Sequence, residues 1–256
     1  KTIIMNNILY TSPAENERIR TFVRNGGTLI ATGNTSLCAP DGSSTGDFAL
    51  ADVFGVSVTG KKAKRFHYLS FLDRRWLVSS HASAPLVTAA HATMLARITE
   101  PVFDPDAASY ASIHSNPPGV DTEFAGLTVN RFGKGTCIYL SSPVLALTQD
   151  AQQAFGTWLF REYAPSTVIT ATNAPKCVEI TTLTSTRTNA MIVGLVNYQK
   201  ELPNVPVHDI TVTLTLPAKP SSVTRISDGA AVPISGNEIT ITIPQLETIE
   251  MIEIMF

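Results

Sequence analysis

The chain has 256 residues, of which 44% are apolar and 16% are charged, and its formal net charge is -2 at pH 7. These values exclude a disordered chain, because chains that fail to collapse combine low hydrophobicity with high net charge. They also exclude the strongly basic surface that nucleic acid or anionic lipid requires. A short basic run at residues 61–65 is interpreted as a solvated turn.

The apolar segments are too short for a membrane protein. None reaches the 18 or so residues needed to span a bilayer, and the opening residues turn polar too early for a signal peptide. We therefore expect a soluble protein without a membrane partner, and the compartment, cytoplasmic or secreted, stays open. Ile3, Ile4 and Met5 have the pattern of a buried strand, so further residues are expected upstream of the chain.

The first predicted elements are a strand, a helix and a second strand. Ser12, Pro13 and Glu15 have the spacing of a helix N-terminus, at which the Ser and Glu side chains each satisfy a free backbone amide. Gly26 and the glycine after it end that helix. Residues 28–32 are a short apolar run, typical of a strand buried on both faces of a parallel sheet, so a right-handed βαβ unit is predicted.

The remainder of residues 1–165 is predicted as loops, short helices and strands. A polar loop at residues 33–47 leads to a short helix within residues 48–54. Thr148 caps a later helix, whose apolar stripe comprises Ala151, Phe155, Trp158 and Leu159. A turn is expected at residues 103–106. The strands lie at residues 56–59, 66–72, 86–89, 125–132 and 136–140, and their order between residues 66 and 115 cannot be read.

The periodicity of the sequence changes after residue 165. Alternating runs at residues 210–216 and 239–243 and a buried run at residues 190–196 predict short strands with no helix between them. The predicted fold is therefore an α/β domain with a mostly parallel sheet at residues 1–165, followed by an all-β antiparallel sandwich at residues 166–256.

A candidate binding region follows from the predicted parallel strands. In open α/β sheets ligands bind beyond the carboxyl ends of the strands, which here lie at Asn6, Asn7, Gly33 and Asn34. These residues, together with Cys38 in the loop that follows, are the candidate ligand or interface residues. The alternative is that they are polar residues that close the loop.

The sequence offers no catalytic constellation. A nucleophile elbow needs its reactive residue on the strand-to-helix turn, and Cys38 lies five residues beyond Gly33, so an ordinary thiol is expected. Asp104 and Asp106 lie in the predicted turn and are assigned no role. No cofactor or metal is expected, because the cysteines form no C-x-x-C motif and no metal-ligand spacing connects His67, His81, His91, His114 and His208.

Two segments carry a family resemblance. Residues 17–33, which include FVRNGGTLIATG, and residues 47–56 resemble the trimerisation domain of β-galactosidase-like glycoside hydrolases. Shorter matches extend the resemblance over most of the chain, at residues 116–119, 130–135, 194–198 and 208–210. The resemblance implies a flavodoxin-like, class I glutamine-amidotransferase-like fold for residues 1–165, with the amidotransferase nucleophile lost at the turn that contains Gly33.

The resemblance also implies partners and a leading functional hypothesis. It predicts a homo-oligomer, a trimer, and an N-terminal catalytic (β/α)8 barrel that this chain does not contain. The chain is then the non-catalytic C-terminal portion of a glycoside hydrolase. One alternative is an independent amidotransferase-like or hydrolase domain acting at the loop after Gly33. A third is a carbohydrate-binding module, for which residues 166–256 offer only Tyr198 and Phe256 as aromatic side chains.

Overall fold

The computed structural model describes residues 1–103, 116–146, 149–164 and 168–256. The chain divides into two compact units, Lys1–Pro165 and Ser166–Phe256, referred to below as unit 1 and unit 2. Across these described ranges no helix is long and apolar enough to cross a membrane. Asp104, Asp106, His114 and the predicted helix cap Thr148 lie outside the described residues.

Unit 1 is built mainly from strands. Seven of its described strands form one sheet, in the order β1-β2-β9-β8-β7-β4-β5, and β3 pairs with β6 in a second sheet. The elements are β1 (Thr2–Asn6), α1 (Pro13–Arg24), β2 (Thr28–Thr32), α2 (Ala51–Phe54), β3 (Val56–Lys62), β4 (His67–Phe71), β5 (Leu77–Ser80), β6 (Pro85–Ala89), β7 (Thr93–Pro101), β8 (Pro118–Phe132), β9 (Gly135–Leu140) and α3 (Asp150–Tyr163).

The predicted mostly parallel, flavodoxin-like or glutamine-amidotransferase-like sheet is wrong. Among the described strands of the large sheet, β2 is parallel to β1 and to β9, whereas the pairs β9–β8, β8–β7, β7–β4 and β4–β5 are antiparallel. Parallel neighbours need a long crossover, which α1 supplies between β1 and β2. The tight turns after β4 and β8 reverse the chain at once and so produce antiparallel pairs.

The βαβ opening forms as its sequence predicts. Ser12 Oγ accepts a hydrogen bond from the Glu15 amide at 3.3 Å, and Glu15 Oε2 accepts one from the Ser12 amide at 2.8 Å. This reciprocal cap confirms the predicted start of α1. Gly26 follows the helix with a φ of 106°. Strand β2 is buried between β1 and β9, which confirms the prediction for residues 28–32.

The large sheet buries apolar side chains on both faces. Leu29 and Tyr139 pack with α1 and α2 on one face, whereas Ile30 packs with α3 on the other. Within α3 the fully buried side chains are Phe155 and Leu159, and Gln149 occupies the N-cap position. Strand alternation therefore directs each residue of a central strand into one of two separate cores.

Unit 2 is an antiparallel sandwich. Its described strands pair in the orders β10-β13-β15 and β11-β12-β16-β14, and every recorded pairing is antiparallel. Inward side chains from both sheets, such as Val193 and Val212, share one apolar core. The strands are β10 (Ile169–Thr172), β11 (Val178–Ser185), β12 (Ala190–Asn197), β13 (Val207–Thr215), β14 (Ser222–Arg225), β15 (Glu238–Leu246) and β16 (Ile249–Met255).

Candidate functional site

Four of the five candidate residues meet at the carboxyl ends of β1 and β2. The Asn7 side-chain oxygen accepts hydrogen bonds from the backbone amide of Asn34 at 2.8 Å and from its side-chain amide at 3.2 Å. Asn6 Oδ1 accepts a hydrogen bond from Thr32 Oγ1 at 2.8 Å. These side chains satisfy each other and the loop backbone, which is the arrangement that loop closure requires.

Gly33 is required at this point by close packing. Its φ is +59°, and a Cβ on it would lie 2.4 Å from Asn7 Oδ1. Its amide donates to the Leu140 carbonyl at 2.8 Å, and its carbonyl accepts from the Tyr139 hydroxyl at 2.7 Å. Since a side chain would both strain the backbone and displace Asn7, only glycine fits without rearrangement.

Thr35 organises the loop, although its role was not predicted from the sequence. Its hydroxyl lies 2.7 Å from the Thr32 carbonyl and 3.1 Å from the Met5 carbonyl, and it accepts a hydrogen bond from the Ile8 amide at 3.1 Å. Its side chain is completely buried. The loop after β2 is therefore fastened to the end of β1 by a buried hydroxyl.

Cys38 lies further along the loop in a short backbone pairing. Its amide donates to the Leu9 carbonyl at 3.1 Å, and its carbonyl accepts from the Thr11 amide at 3.1 Å. The thiol is half-buried. Within the described residues no hydrogen bond joins it to a histidine or an acidic side chain, so the base that would activate a nucleophile is missing.

A buried histidine and serine form a second polar pair in unit 1. His67 Nδ1 donates to the Lys64 carbonyl at 2.8 Å, which leaves Nε2 to accept from the Ser142 hydroxyl at 2.5 Å. Burial lowers the pKa of His67, and the charge of His81 acts in the same direction. Both paired side chains are fully buried. The geometry is that of a nucleophile and its base, but a substrate cannot reach either group.

A cleft beside the turn that joins β4 to β5 is an open site with several converging polar groups. Its volume is about 570 Å³. We call it the β4–β7 cleft, and its polar and aromatic lining is Ser70, Arg74, Trp76, Arg97, Thr99 and Asp121. Cavities of this size, with a few converging polar groups on an apolar wall, are typical of small-molecule sites.

The strand register brings these polar groups together. Ser70 of β4 is opposite Arg97 of β7, and Thr99 of β7 is opposite Asp121 of β8. Residues that are directly opposite each other across paired strands present their side chains on the same face. Their neighbours in β7, Ala96 and Ile98, are fully buried in the core on the other face. One face of the sheet therefore carries a polar surface over an apolar core.

The Thr99 hydroxyl orients the acidic group of the cleft. Thr99 Oγ1 lies 2.6 Å from both Ser70 Oγ and Asp121 Oδ1. A hydroxyl has one proton and an ionised carboxylate only accepts, so Thr99 donates to Asp121 and accepts from Ser70. Arg97 Nη1 lies 3.8 Å from the other carboxylate oxygen of Asp121. The Thr99 hydroxyl thus sets the position of Asp121, and Arg97 lies beside that carboxylate.

The residues of this cleft were missed because the strand order between residues 66 and 115 was not predicted. The polar residues Arg97 and Thr99 alternate with the apolar residues Ala96 and Ile98. That alternation indicates a half-buried strand and could have been read from the sequence. The pairing of β7 with β4 and β8 involves residues far apart along the chain, and no local pattern reveals it.

A smaller cavity of about 310 Å³ shares Phe71 and Leu72 with the cleft. Asp73 and Glu162 line it, as two carboxylates line a glycosidase site. The Arg75 amide donates to Asp73 Oδ1 at 3.1 Å and, with the Arg75 guanidinium, lowers the pKa of Asp73. Asp73 therefore stays ionised at neutral pH, which is the state of a nucleophile or general base and not of a general acid. Among the described residues no three acidic, histidine or cysteine side chains form a metal site.

Comparison with known proteins relates the fold to glycoside hydrolases. No protein family model and no curated protein sequence matches the chain. α-L-Fucosidase isoenzyme 2 from Paenibacillus thiaminolyticus aligns with 100% of this chain at 18% identity and a TM-score of 0.77, and the chain covers 41% of that protein.

Two β-galactosidases show the same relationship. The enzyme from Bacillus circulans sp. alkalophilus aligns with 99% of the chain at 19% identity and a TM-score of 0.65, and 33% of it is covered. The GH42 β-galactosidase Gan42B from G. stearothermophilus aligns with 99% of the chain at 16% identity and a TM-score of 0.64, and 32% of it is covered. The chain thus shares a glycoside-hydrolase-like fold and spans less than half of each solved protein.

Proposed function

We propose that this chain is the non-catalytic C-terminal portion of a β-galactosidase-like glycoside hydrolase, which joins copies of the protein and supports a catalytic barrel. One observation carries this proposal. The entire chain, with both units, aligns with only part of each solved glycoside hydrolase. A region that recurs as a part of larger enzymes suits a supporting role.

The described polar groups of unit 1 also support a non-catalytic role. The Asn7 and Asn34 side chains close a loop, and the Ser142 and His67 pair is sealed from solvent. The thiol of Cys38 has no basic partner among the described residues. General acid–base and nucleophilic catalysis both need an accessible group beside a partner that activates it.

The outer edge of β1 provides a surface suited to assembly. β1 is an edge strand of the large sheet, and no described strand pairs with its free edge. Ile4, Ile8 and Tyr10 are 49%, 46% and 56% exposed along this edge and the segment after it. An open edge with exposed apolar side chains is prone to contact another chain, and we assign it to a different surface of a neighbouring copy, as a closed trimer requires.

The two rival functions have less support from the structure. The independent-enzyme hypothesis depends on the loop after Gly33, whose amide and carbonyl are both hydrogen-bonded within unit 1. The carbohydrate-module hypothesis depends on an aromatic platform in unit 2. There Tyr198 is 77% exposed, but Phe256 packs against the sandwich core. One exposed ring is a poor platform for sugar stacking.

Turnover of aryl glycosides tests the non-catalytic role. The purified chain is incubated with 4-nitrophenyl β-D-galactoside and 4-nitrophenyl α-L-fucoside, and release of nitrophenolate is followed. We expect no release above the enzyme-free blank. Saturable turnover would contradict the proposal, and its loss in a Cys38→Ala variant would transfer support to an enzyme acting at the loop after Gly33.

A further inference from the structure

The β4–β7 cleft has an excess of positive charge. Arg74 and Arg97 line it, and Asp121 is the single acidic residue among its described lining residues. Arg74 is exposed on the turn after β4 and forms no ion pair with another described residue. A concave site with an unbalanced arginine attracts an anionic ligand.

Arg97 retains most of its hydrogen-bonding capacity. A guanidinium has five N–H donors, and the contact of Arg97 with Asp121 is a single one at 3.8 Å. The planar fork of arginine matches the two oxygens of a carboxylate. Thr99 holds Asp121 in place, so Arg97 lies beside a fixed carboxylate and leaves its remaining donors for a ligand.

The remaining lining groups suit a sugar ring. Ser70 and Asp121 are held on either side of the buried Thr99 hydroxyl, and their remaining hydrogen-bonding capacity can serve sugar hydroxyls. Leu77 is exposed and lies directly opposite Ser70 in the pairing of β4 with β5, so its apolar side chain faces the same space. Such a side chain covers the C–H face of a pyranose ring.

We infer that the β4–β7 cleft binds a saccharide that carries a carboxylate, a hexuronic acid. The carboxylate pairs with Arg97 and Arg74, the ring hydroxyls bind to Ser70 and Asp121, and the ring lies against Leu77. A cavity of about 570 Å³ accommodates one or two such sugar units. This binding is distinct from the assembly role and does not depend on it.

Calorimetric titration of the intact chain with sodium D-galacturonate tests the assignment. D-Galactose, which lacks the carboxylate, and sodium acetate, which lacks the ring, are titrated under the same conditions. We expect saturable binding of galacturonate with a Kd at least about tenfold lower than that of either control. Equal affinity for galactose, equal affinity for acetate, or no binding of galacturonate would each overturn the inference.

Two variants locate the binding in the cleft. Arg97→Gln should raise the Kd for galacturonate at least about tenfold, because it removes the fork that holds the carboxylate. Arg74→Asn should weaken binding as well, and asparagine accommodates the φ of 61° at that position. Arg18→Gln, an equal loss of charge on the exposed face of α1, is the control and should leave the Kd unchanged. An unchanged Kd in correctly folded Arg97→Gln would overturn the inference.

Discussion

His67 Nε2 lies 2.5 Å from Ser142 Oγ, and neither side chain reaches solvent. The Lys64 carbonyl holds the proton of His67 on Nδ1, so Nε2 is left as an acceptor for the serine hydroxyl. The pair joins the start of β4 to the chain just after β9, two strands that are not neighbours in the sheet. The hydrogen bond between His67 and Ser142 therefore contributes to stability, and a fall in pH should weaken that contribution.

Acid should destabilise unit 1 through His67. Burial holds the folded-state pKa of His67 below the ordinary 6.5, so the unfolded chain binds a proton that the folded chain does not. This contribution to stability is complete above pH 6.5 and is lost as the pH falls from 6.5 toward the folded-state pKa. Urea unfolding followed by tryptophan fluorescence should give a smaller free energy of unfolding at lower pH.

Two histidine variants make this prediction specific. His67→Gln removes the titrating group, so the free energy of unfolding should change less across the same pH range. His91→Gln, at an exposed position of the same unit, should keep the wild-type pH dependence. An identical pH dependence in all three proteins would show that His67 is not the group responsible.

Ser142→Ala should destabilise the protein by about 1–3 kcal/mol, because it leaves His67 Nε2 buried without a donor. Ser141→Ala is a matched control, since Ser141 is equally buried but its hydroxyl lies 3.4 Å from the Gly126 carbonyl, a weaker contact. Denaturant unfolding of both variants at neutral pH measures the difference. Equal losses of unfolding free energy in the two variants would show that the hydrogen bond between His67 and Ser142 has no particular importance for stability.

Gly33→Ala should lower the stability of the protein more than Gly46→Ala, a substitution elsewhere in the same loop. Gly46 has a φ of +78°, and a Cβ on it meets nothing within 4 Å, whereas a Cβ on Gly33 would meet Asn7. Both substitutions carry the cost of a left-handed backbone, about 1–2 kcal/mol. Overlap with Asn7 should add about 1–3 kcal/mol to Gly33→Ala alone. Equal melting temperatures for the two variants would disprove the close contact.

Thiol labelling separates the three cysteines. Cys137 is completely buried, and burial raises its pKa, so its thiol should resist reagents until the protein unfolds. Cys38 and Cys177 are half-buried and should react in the native state at similar rates. Mass spectrometry of labelled peptides identifies the reacting sites. Labelling of Cys38 far faster than Cys177 would indicate an activated nucleophile and favour the enzyme hypothesis.

The sequence predicted local structure well where the controlling residues are neighbours in the chain. Ser12 and Glu15 form the start of α1, and the glycines that follow the helix return the chain to β2. The alternation of residues 210–216 and 239–243 placed strands of unit 2 where they occur. In each case the pattern and the structure that it indicates lie within about ten residues of each other.

The arrangement of the large sheet was predicted wrongly because its pairings are long-range. The parallel β1–β2 pair suggested a sheet that continues in the same way, but β8 turns directly back into β9, and β7, β4 and β5 are antiparallel to their neighbours as well. For the same reason Arg97 and Asp121 could not be placed in one cleft. Asn7 and Asn34 are brought together at the ends of β1 and β2 by hydrogen bonds that close the loop, and a ligand or interface role for them stays a prediction.

The proposed assembly edge can be tested by placing a charge on it. Ile4→Asp introduces a carboxylate on β1 at an exposed position, so it should disrupt contact with a second copy and leave unit 1 folded. Leu183→Asp is the control, since Leu183 is 69% exposed on β11, an edge strand of the sandwich. Circular dichroism verifies that both variants are folded.

The solution mass of the purified chain, measured by light scattering during size-exclusion chromatography, decides whether the chain assembles. We expect a stable homo-oligomer with three times the mass of one chain, which Ile4→Asp reduces toward the mass of a single chain and Leu183→Asp leaves intact. A monomer at every accessible concentration would refute the assembly role, and an oligomer that Ile4→Asp leaves unchanged would refute the assignment of the β1 edge.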